Sequence, residues 1–130
     1  MLEGTEAITG ASLVWALDAA TLRHQAIAKN IANANADNYV PVKVNFEAHV
    51  RDGQRELQDR GRLSAGTVAS LFATPLPTAA VLDAAGAPAK VQVDSEVANM
   101  AQNSVHYQAL IKGLSRHLGI LATAVSDGKR

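Results

Sequence analysis

The most regular pattern in the chain runs over residues 95–125, which have the sequence SEVANMAQNSVHYQALIKGLSRHLGILATAV. Nine positions in it are separated alternately by three and four residues: Val97, Met100, Ser104, Tyr107, Ile111, Leu114, Leu118, Leu121 and Val125. This heptad spacing is typical of a helix that packs along another helix as a coiled coil. At ~1.5 Å per residue the helix is about 45 Å long. We expect its N-cap at Asp94 or Ser95 and its end at Gly128.

A second helix is predicted over residues 10–36, with apolar side chains on two opposite sides. One row consists of Leu13, Leu17, Ala20, His24, Ile27 and Ile31. The other consists of Trp15, Ala19, Leu22 and Ala26. A helix that is apolar on two sides must be covered on both. One helix of the same chain covers one side, and we expect other chains to cover the second.

The residues between these helices have a different composition. Residues 37–93 contain all four prolines and four of the nine glycines, and residues 51–62 are dense in both signs of charge. Residues 40–46 alternate apolar and polar side chains, as a short strand does. The sequence therefore predicts a mainly α fold. Its N- and C-terminal helices (1–36 and 94–130) pair as a coiled coil, and an extended central loop or hairpin (37–93) carries short β segments.

Composition narrows the possible functions. Twelve basic and twelve acidic residues give a net charge of zero, which disfavours nucleic acid as a partner. The chain has no cysteine, so thiolate catalysis and cysteine zinc sites are excluded. No apolar run approaches the roughly 20 residues that span a bilayer. The N-terminal residues MLEGTEAITG lack the pattern of a cleaved signal peptide.

Catalytic and metal-binding motifs are also absent from the sequence. The four histidines, His24, His49, His106 and His117, form neither an HxxxH nor an HExxH pair. No nucleophile elbow, phosphate-binding loop or dinucleotide fingerprint occurs. We therefore expect a protein that is not an enzyme, with no metal, no cofactor and no small-molecule substrate.

Asparagines cluster where the first predicted helix ends. They are Asn30, Asn33, Asn35 and Asn38. Asparagine tolerates left-handed backbone geometry and satisfies free backbone groups, so a helix C-cap followed by a turn is the favoured interpretation. The alternative is that these amides form hydrogen bonds between packed subunits.

The same cluster carries a resemblance to a known family. Residues 23–39, RHQAIAKNIANANADNY, resemble the N-terminal signature of bacterial flagellar rod and hook proteins, which is roughly R-Q-x-x-I-A-x-N-I-A-N-x-x-T-P-G-Y. Tyr39 is kept, whereas Thr-Pro-Gly is replaced, and Asn38 can supply the positive-φ turn that glycine would give. Residues 44–48 (VNFEA), 93–104 and 107–111 are also similar to the family. The ending over residues 114–128 points to its proximal rod members.

The resemblance implies a function and a set of partners. Subunits of this family pair their terminal helices and stack into a hollow tube that crosses the periplasm, transmits torque and serves as an export channel. They leave the cytoplasm without signal cleavage. The implied partners are copies of the chain, other rod proteins, inner-membrane ring and export-gate proteins, and a rod-base adaptor protein. The alternative that the heptad alone allows is a self-standing coiled-coil adaptor or secretion-associated interaction module.

Two sets of residues are expected to matter for assembly. The candidates for packing between subunits are Leu13, Leu17, Leu22, Ile27, Ile31, Tyr107, Ile111, Leu114, Leu118 and Leu121. The residues carried over from the family motif are Asn30, Asn33, Asn35, Tyr39, Glu96 and Asn103.

Overall fold

The computed structural model describes the backbone of residues 2–128 and the side-chain environments of residues 8–128. The elements follow in the order α1 (Leu2–Ala32), β1 (Val42–Val44), α2 (Phe46–Arg60), α3 (Ala65–Ala73), β2 (Thr78–Ala80) and α4 (Val93–Asp127). The fold is mainly helical, and its two long terminal helices pack together, as predicted. Residue 1 and residues 129–130, the outer ends of the first and third predicted segments, lie outside the described residues.

Helices α1 and α4 run antiparallel and approach each other closely. Leu13 of α1 lies beside Gly113 of α4, and His117 lies beside Gly10. The buried apolar residues of α1 are Ala19, Ala20, Ala26 and Ile27. Because most of these side chains are small, the contact depends on close approach of the helices more than on large interlocking side chains.

Only part of the predicted face of α4 contacts α1. The buried and half-buried positions of α4 are Glu96, Met100, Asn103, Ser104, Leu110, Gly113, Leu114, His117 and Leu121. The predicted row that contains Val97, Ile111, Leu118 and Val125 is exposed. The predicted pattern followed the spacing of mainly apolar residues and left out the polar residues Glu96 and Asn103, which belong to the buried row.

The ends of α4 agree with the prediction at one terminus only. The last helical residue is Asp127, and Gly128 caps the helix through a hydrogen bond from its N–H to the Ala124 carbonyl, as predicted. It begins at Val93, so the expected N-cap at Asp94 or Ser95 is wrong. Gln92 occupies the N-cap position and makes no side-chain capping bond. Asp94 and Glu96 instead lie in the first turn, where negative charge complements the helix dipole.

The segment between the terminal helices contains the expected strands and, in addition, two helices. β1 and β2 pair antiparallel, with Val42 opposite Ala80 and Val44 opposite Thr78. Between them, residues 46–73 form α2 and α3, so residues 37–93 are less extended than the sequence predicted. Side-chain caps explain both helix starts. Asn45 Oδ1 accepts a hydrogen bond from Ala48 N at 3.1 Å, and Ser64 Oγ accepts one from Thr67 N at 3.2 Å.

The sequence did not predict α2, because residues 51–62 have many charged side chains and no apolar periodicity. Its charged residues pair at helical spacing, Asp52 with Arg55 and Glu56 with Arg60. Gly61, with φ of +66°, ends the helix in the left-handed conformation.

The second side of α1 is covered in part by α2 and α3 of the same chain. The ring of Trp15 packs against Phe46, His49 and Phe72, with centroid separations of 5.3, 5.4 and 6.2 Å. The expectation that only other chains cover this side is therefore wrong around Trp15.

Within residues 2–128, no helix is long and apolar enough to cross a membrane.

Candidate functional site

A buried amide at the end of α1 joins this helix to three other parts of the chain. Asn30 Nδ2 donates to the Val42 carbonyl at 2.9 Å and to Glu96 Oε2 at 3.2 Å. Asn30 Oδ1 accepts from the Tyr39 hydroxyl at 2.9 Å and from Val42 N at 3.0 Å. An amide side chain has two donor hydrogens and two acceptor positions, and here all are used. Asn30 therefore links α1, the following turn, β1 and α4 at one point.

The backbone groups of Val42 and the burial of Asn30 explain why an amide is needed here. Val42 begins β1, so its outward N–H and carbonyl would be unpaired at the edge of the strand pair, and Asn30 satisfies both. Asn30 is only 4% exposed. Because a buried polar group without a partner is costly, the Asn30 site requires an amide in this position.

Tyr39 and Glu96 complete the network around Asn30. Burial of the Tyr39 hydroxyl raises the pKa of that group above its ordinary value, and the nearby Glu96 carboxylate raises it further. The Tyr39 hydroxyl donates its hydrogen to Asn30 Oδ1. Three of the residues carried over from the family motif, Asn30, Tyr39 and Glu96, thus lie in one connected set of hydrogen bonds.

A second buried amide joins the two long helices farther along. Asn103 of α4 is 4% exposed, and its Nδ2 donates to the Ala20 carbonyl of α1 at 2.8 Å. Its Oδ1 accepts from Arg23 Nη1 at 3.4 Å. Asn30 and Asn103 together fix the register of α1 against α4, because each bonds to a particular residue of the partner helix. We call this set of residues, Arg23, Asn30, Tyr39, Glu96 and Asn103, the amide network.

The remaining asparagines form the turn after α1. Asn33 Nδ2 donates to the Lys29 carbonyl at 2.8 Å, as a residue that closes a helix end does. Asn38 has φ of +60° and is the non-glycine residue with positive φ in the described chain, which confirms the predicted turn. Asn35 is exposed. The cluster therefore combines capping and turn formation at Asn33 and Asn38 with a buried link at Asn30 that lies within the chain.

A groove of about 680 Å³, lined by both polar and apolar side chains, runs beside the amide network, between α1, β1 and the start of α4. Three basic residues and one histidine line it: Arg23, Lys43, Lys90 and His106. Among the residues that the structure describes, no group of three His, Asp or Glu side chains could hold a metal ion. The chemistry of this region is hydrogen bonding that holds helices and strand in place.

The residues predicted to pack between subunits occupy two kinds of position. Ile27 is buried, and six others are half-buried: Leu13, Leu17, Leu22, Ile31, Leu114 and Leu121. Tyr107, Ile111 and Leu118 are exposed, at 37%, 43% and 54%. The structure thus divides the predicted set into residues that serve the fold of one chain and residues whose side chains remain available on the surface of α4.

Some contributing residues were not identified from the sequence. The sequence assigns Arg23 only to a motif, Ala20 only to an apolar row and Val42 only to a strand, and it does not predict the contacts of the rings around Trp15. Val42 and Ala20 contribute through backbone atoms, which leave no trace in residue type. The aromatic residues Phe46 and Phe72 were a detectable signal, since the chain has only two phenylalanines and one tryptophan.

Comparison with known proteins gave one informative result. No family model matches the chain. The chain is 27% identical over 118 residues to the flagellar basal body rod protein FlgB of Bacillus subtilis (strain 168), covering 88% of this chain and 90% of that protein. The similarity therefore extends over nearly all of both chains. The similarity suggests the flagellar rod protein family.

Proposed function

We propose that this protein is a structural subunit of the proximal rod of the bacterial flagellar basal body and is not an enzyme. The observation that carries this proposal is the similarity to a rod protein over 90% of that protein's length. In the proposed function, subunits polymerise through their terminal helices into a hollow tube that transmits torque and serves as an export channel. No cofactor is part of the proposal.

The three segments of the chain would have different positions in the rod. Residues 1–36 and 94–130 would form the core of the rod, and residues 37–93 would lie beside that core. The amide network supports this division, because Asn30 and Asn103 bond α1 to α4 and set one register for the pair. A defined register is what a helical polymer needs, since every subunit must present the same surface.

The outer row of α4 is the best candidate for contact between subunits. Val97, Ile111, Leu118 and Val125 recur at multiples of seven residues, and between 43% and 62% of each side chain is exposed. Their row adjoins the half-buried Leu114 and Leu121, so a further helix would extend the packing already present between α1 and α4. Burial of such side chains stabilises an assembly by ~25 cal/mol per Å² of apolar surface.

The partners and location follow from the proposed function. They are copies of the chain, other rod proteins, inner-membrane ring and export-gate proteins, and a rod-base adaptor protein. The subunit would lie in the periplasmic part of the basal body, after export without removal of a signal peptide.

A second function has one observation in its favour. The chain covers part of the second side of α1 itself, through the rings around Trp15. A self-standing adaptor or secretion-associated module would need such internal cover. Sedimentation of the purified chain separates the two functions: an adaptor forms a defined small oligomer, whereas a rod subunit is a monomer or an open-ended polymer.

The proposed function is tested by deleting the gene in its host and imaging basal bodies by electron microscopy. We expect membrane rings without a rod, and rods restored by a plasmid copy of the gene. Intact rods in the deletion strain would overturn the proposal.

Two variants test the outer row in the same strain. Leu118→Asp should fail to restore rods, because it places a charge in the proposed contact. Ala109→Asp is the matched control, since Ala109 is exposed on another side of α4 and should restore them. Circular dichroism of both purified variants checks that the helices are retained, and restoration by Leu118→Asp would remove the outer row from the proposed contact.

A further inference from the structure

Residues 46–76 are an insertion between two paired strands. β1 ends at Val44 and β2 begins at Thr78, and the strands pair in antiparallel fashion. A hydrogen bond of 2.8 Å from Asn45 N to the Pro77 carbonyl closes the base of the insertion. The two ends of the inserted segment are therefore held together by the strands, whatever the position of α2 and α3.

The inserted helices have internal contacts of their own. Gly53 of α2 is buried, and a Cβ atom built there would lie 3.3 Å from Leu71 Cδ1 and 3.8 Å from Thr67 Cγ2 of α3. His49 Nε2 donates to the Leu71 carbonyl at 2.8 Å. Glu56 accepts hydrogen bonds from the hydroxyls of Thr67 and Ser64. These contacts hold α2 and α3 together independently of α1.

An aromatic cluster joins the insertion to α1. Trp15 packs against Phe46 and His49 of α2 and against Phe72 of α3. In this position Trp15 Nε1 is shielded from solvent and has no hydrogen-bond partner among the described residues. An unpaired buried donor costs about 1–3 kcal/mol, and exposure to water removes that cost. The docked position is thus stabilised by ring packing and opposed by the unpaired indole N–H.

We propose that residues 46–76 form a hinged unit that detaches from α1 as one body, while α1, α4 and the β1–β2 pair remain folded. The hinge lies at Asn45 and Pro77. Detachment hydrates the indole N–H and exposes an aromatic surface on α1 and α3 that is covered in the docked state. The inference does not depend on the proposed function.

Hydrogen exchange of the full-length chain, followed by mass spectrometry, tests the hinge. Once detached, α2 and α3 lose the packing against α1 and open together more readily. After correction for the intrinsic rates of free amides, we therefore expect them to share one degree of protection, with exchange at least about tenfold faster than in peptides covering residues 19–30 and 96–104. Equal rates in the two regions would overturn the proposal, because the insertion would then open only with the whole chain. Different rates in α2 and α3 would also overturn it, because the two helices would not move as one body.

A pair of neighbouring variants on α1 sharpens the test. Trp15→Ala removes the cluster and should raise the exchange rate of residues 46–73 by about tenfold, with less than about a twofold change at residues 19–30 and 96–104. Val14→Ala is the matched control, since Val14 is 49% exposed and should change neither region. If Trp15→Ala does not fold, Phe72→Ala removes the same contact from α3. An equal rise in both regions would contradict a hinge.

Discussion

Helix α1 is held on its two sides by different kinds of contact. On the α4 side, buried amides of Asn30 and Asn103 bond to particular atoms across a surface of small residues. On the other side, the Trp15 ring rests against Phe46, His49 and Phe72, and its own N–H has no partner. Hydrogen bonds are directional, whereas ring packing tolerates displacement. The first side therefore fixes register, and the second allows movement.

The largest effect is expected from breaking the amide network at Asn30. Asn30→Ala leaves Tyr39, Glu96 and both backbone groups of Val42 without their shared partner, so we expect a loss of about 3 kcal/mol in the free energy of unfolding. Urea unfolding followed by circular dichroism measures it. The matched control is Asn35→Ala in the same cluster, which is exposed and should change stability by less than about 0.5 kcal/mol. A similar, small change in both variants would contradict a structural role of the network.

The sequence predicted the positions of the long helices better than the residues through which they contact each other. Periodicity located α1 and α4, and alternation located β1, because both patterns follow from which side chains are apolar. The bounds of the first helix were wrong, since the helix predicted over residues 10–36 spans Leu2–Ala32 and is followed by the asparagine-rich turn. It did not identify the row of α4 that faces α1, because Glu96 and Asn103 are polar and a count of apolar residues passes over them. Nor did it indicate α2, whose covered positions include a glycine and whose surface is charged.

The residues of the candidate site were predictable only through resemblance to a family. Glu96 and Asn103 are far in sequence from Asn30 and Tyr39, and no spacing rule brings the two pairs together. Their contacts also use the backbone of Ala20 and Val42, where the side chain is irrelevant to the bond. By contrast, the positive φ of Asn38 follows from a local preference, and local preferences are what a single sequence expresses best.

The two rows of α4 give the next largest expected difference. Leu114→Asp places a charge at a half-buried position facing α1, and we expect it to cost about 2–3 kcal/mol in the isolated chain. Leu118→Asp makes the same chemical change where the side chain is 54% exposed, and should cost less than about 1 kcal/mol. Thermal unfolding of both variants measures the difference. Equal losses would mean that the outer row also contributes to the fold of a single chain.

A smaller effect should arise inside the insertion. Gly53→Val adds side-chain atoms where a Cβ would already lie 3.3 Å from Leu71, and we expect overpacking to cost about 1–2 kcal/mol. Gly66→Val is the control in α3, since the nearest atom to its Cβ is 4.0 Å away. Exchange rates should rise in residues 46–73 for Gly53→Val alone. A comparable rise at residues 96–104 would show that the insertion and the α1–α4 pair unfold together.

The smallest expected effect is that of pH on the stability of the insertion. Hydrogen bonds from Thr67 lower the pKa of the Glu56 carboxyl most, and those from Ser64 and the charge of Arg60 lower it further. A carboxyl whose folded pKa lies below its unfolded value stabilises the fold above the unfolded pKa, and this contribution is lost as pH falls through the folded pKa. The contacts of Glu56 join α2 to α3 and do not involve α1 or α4.

Acid should therefore loosen the insertion before it affects the amide network. Exchange protection, corrected for the pH dependence of free amides, should fall in residues 46–73 as the pH decreases below 4.5, the ordinary pKa of the Glu56 carboxyl. Residues 19–30 should stay protected over the same range. Glu56→Gln cannot ionise, so protection in that variant should vary less over the same range. If the wild type and Glu56→Gln lose protection in parallel, another carboxylate controls the response. Since Asp52 and Asp59 also lie in α2, Asp52→Asn and Asp59→Asn are the variants that would then locate it.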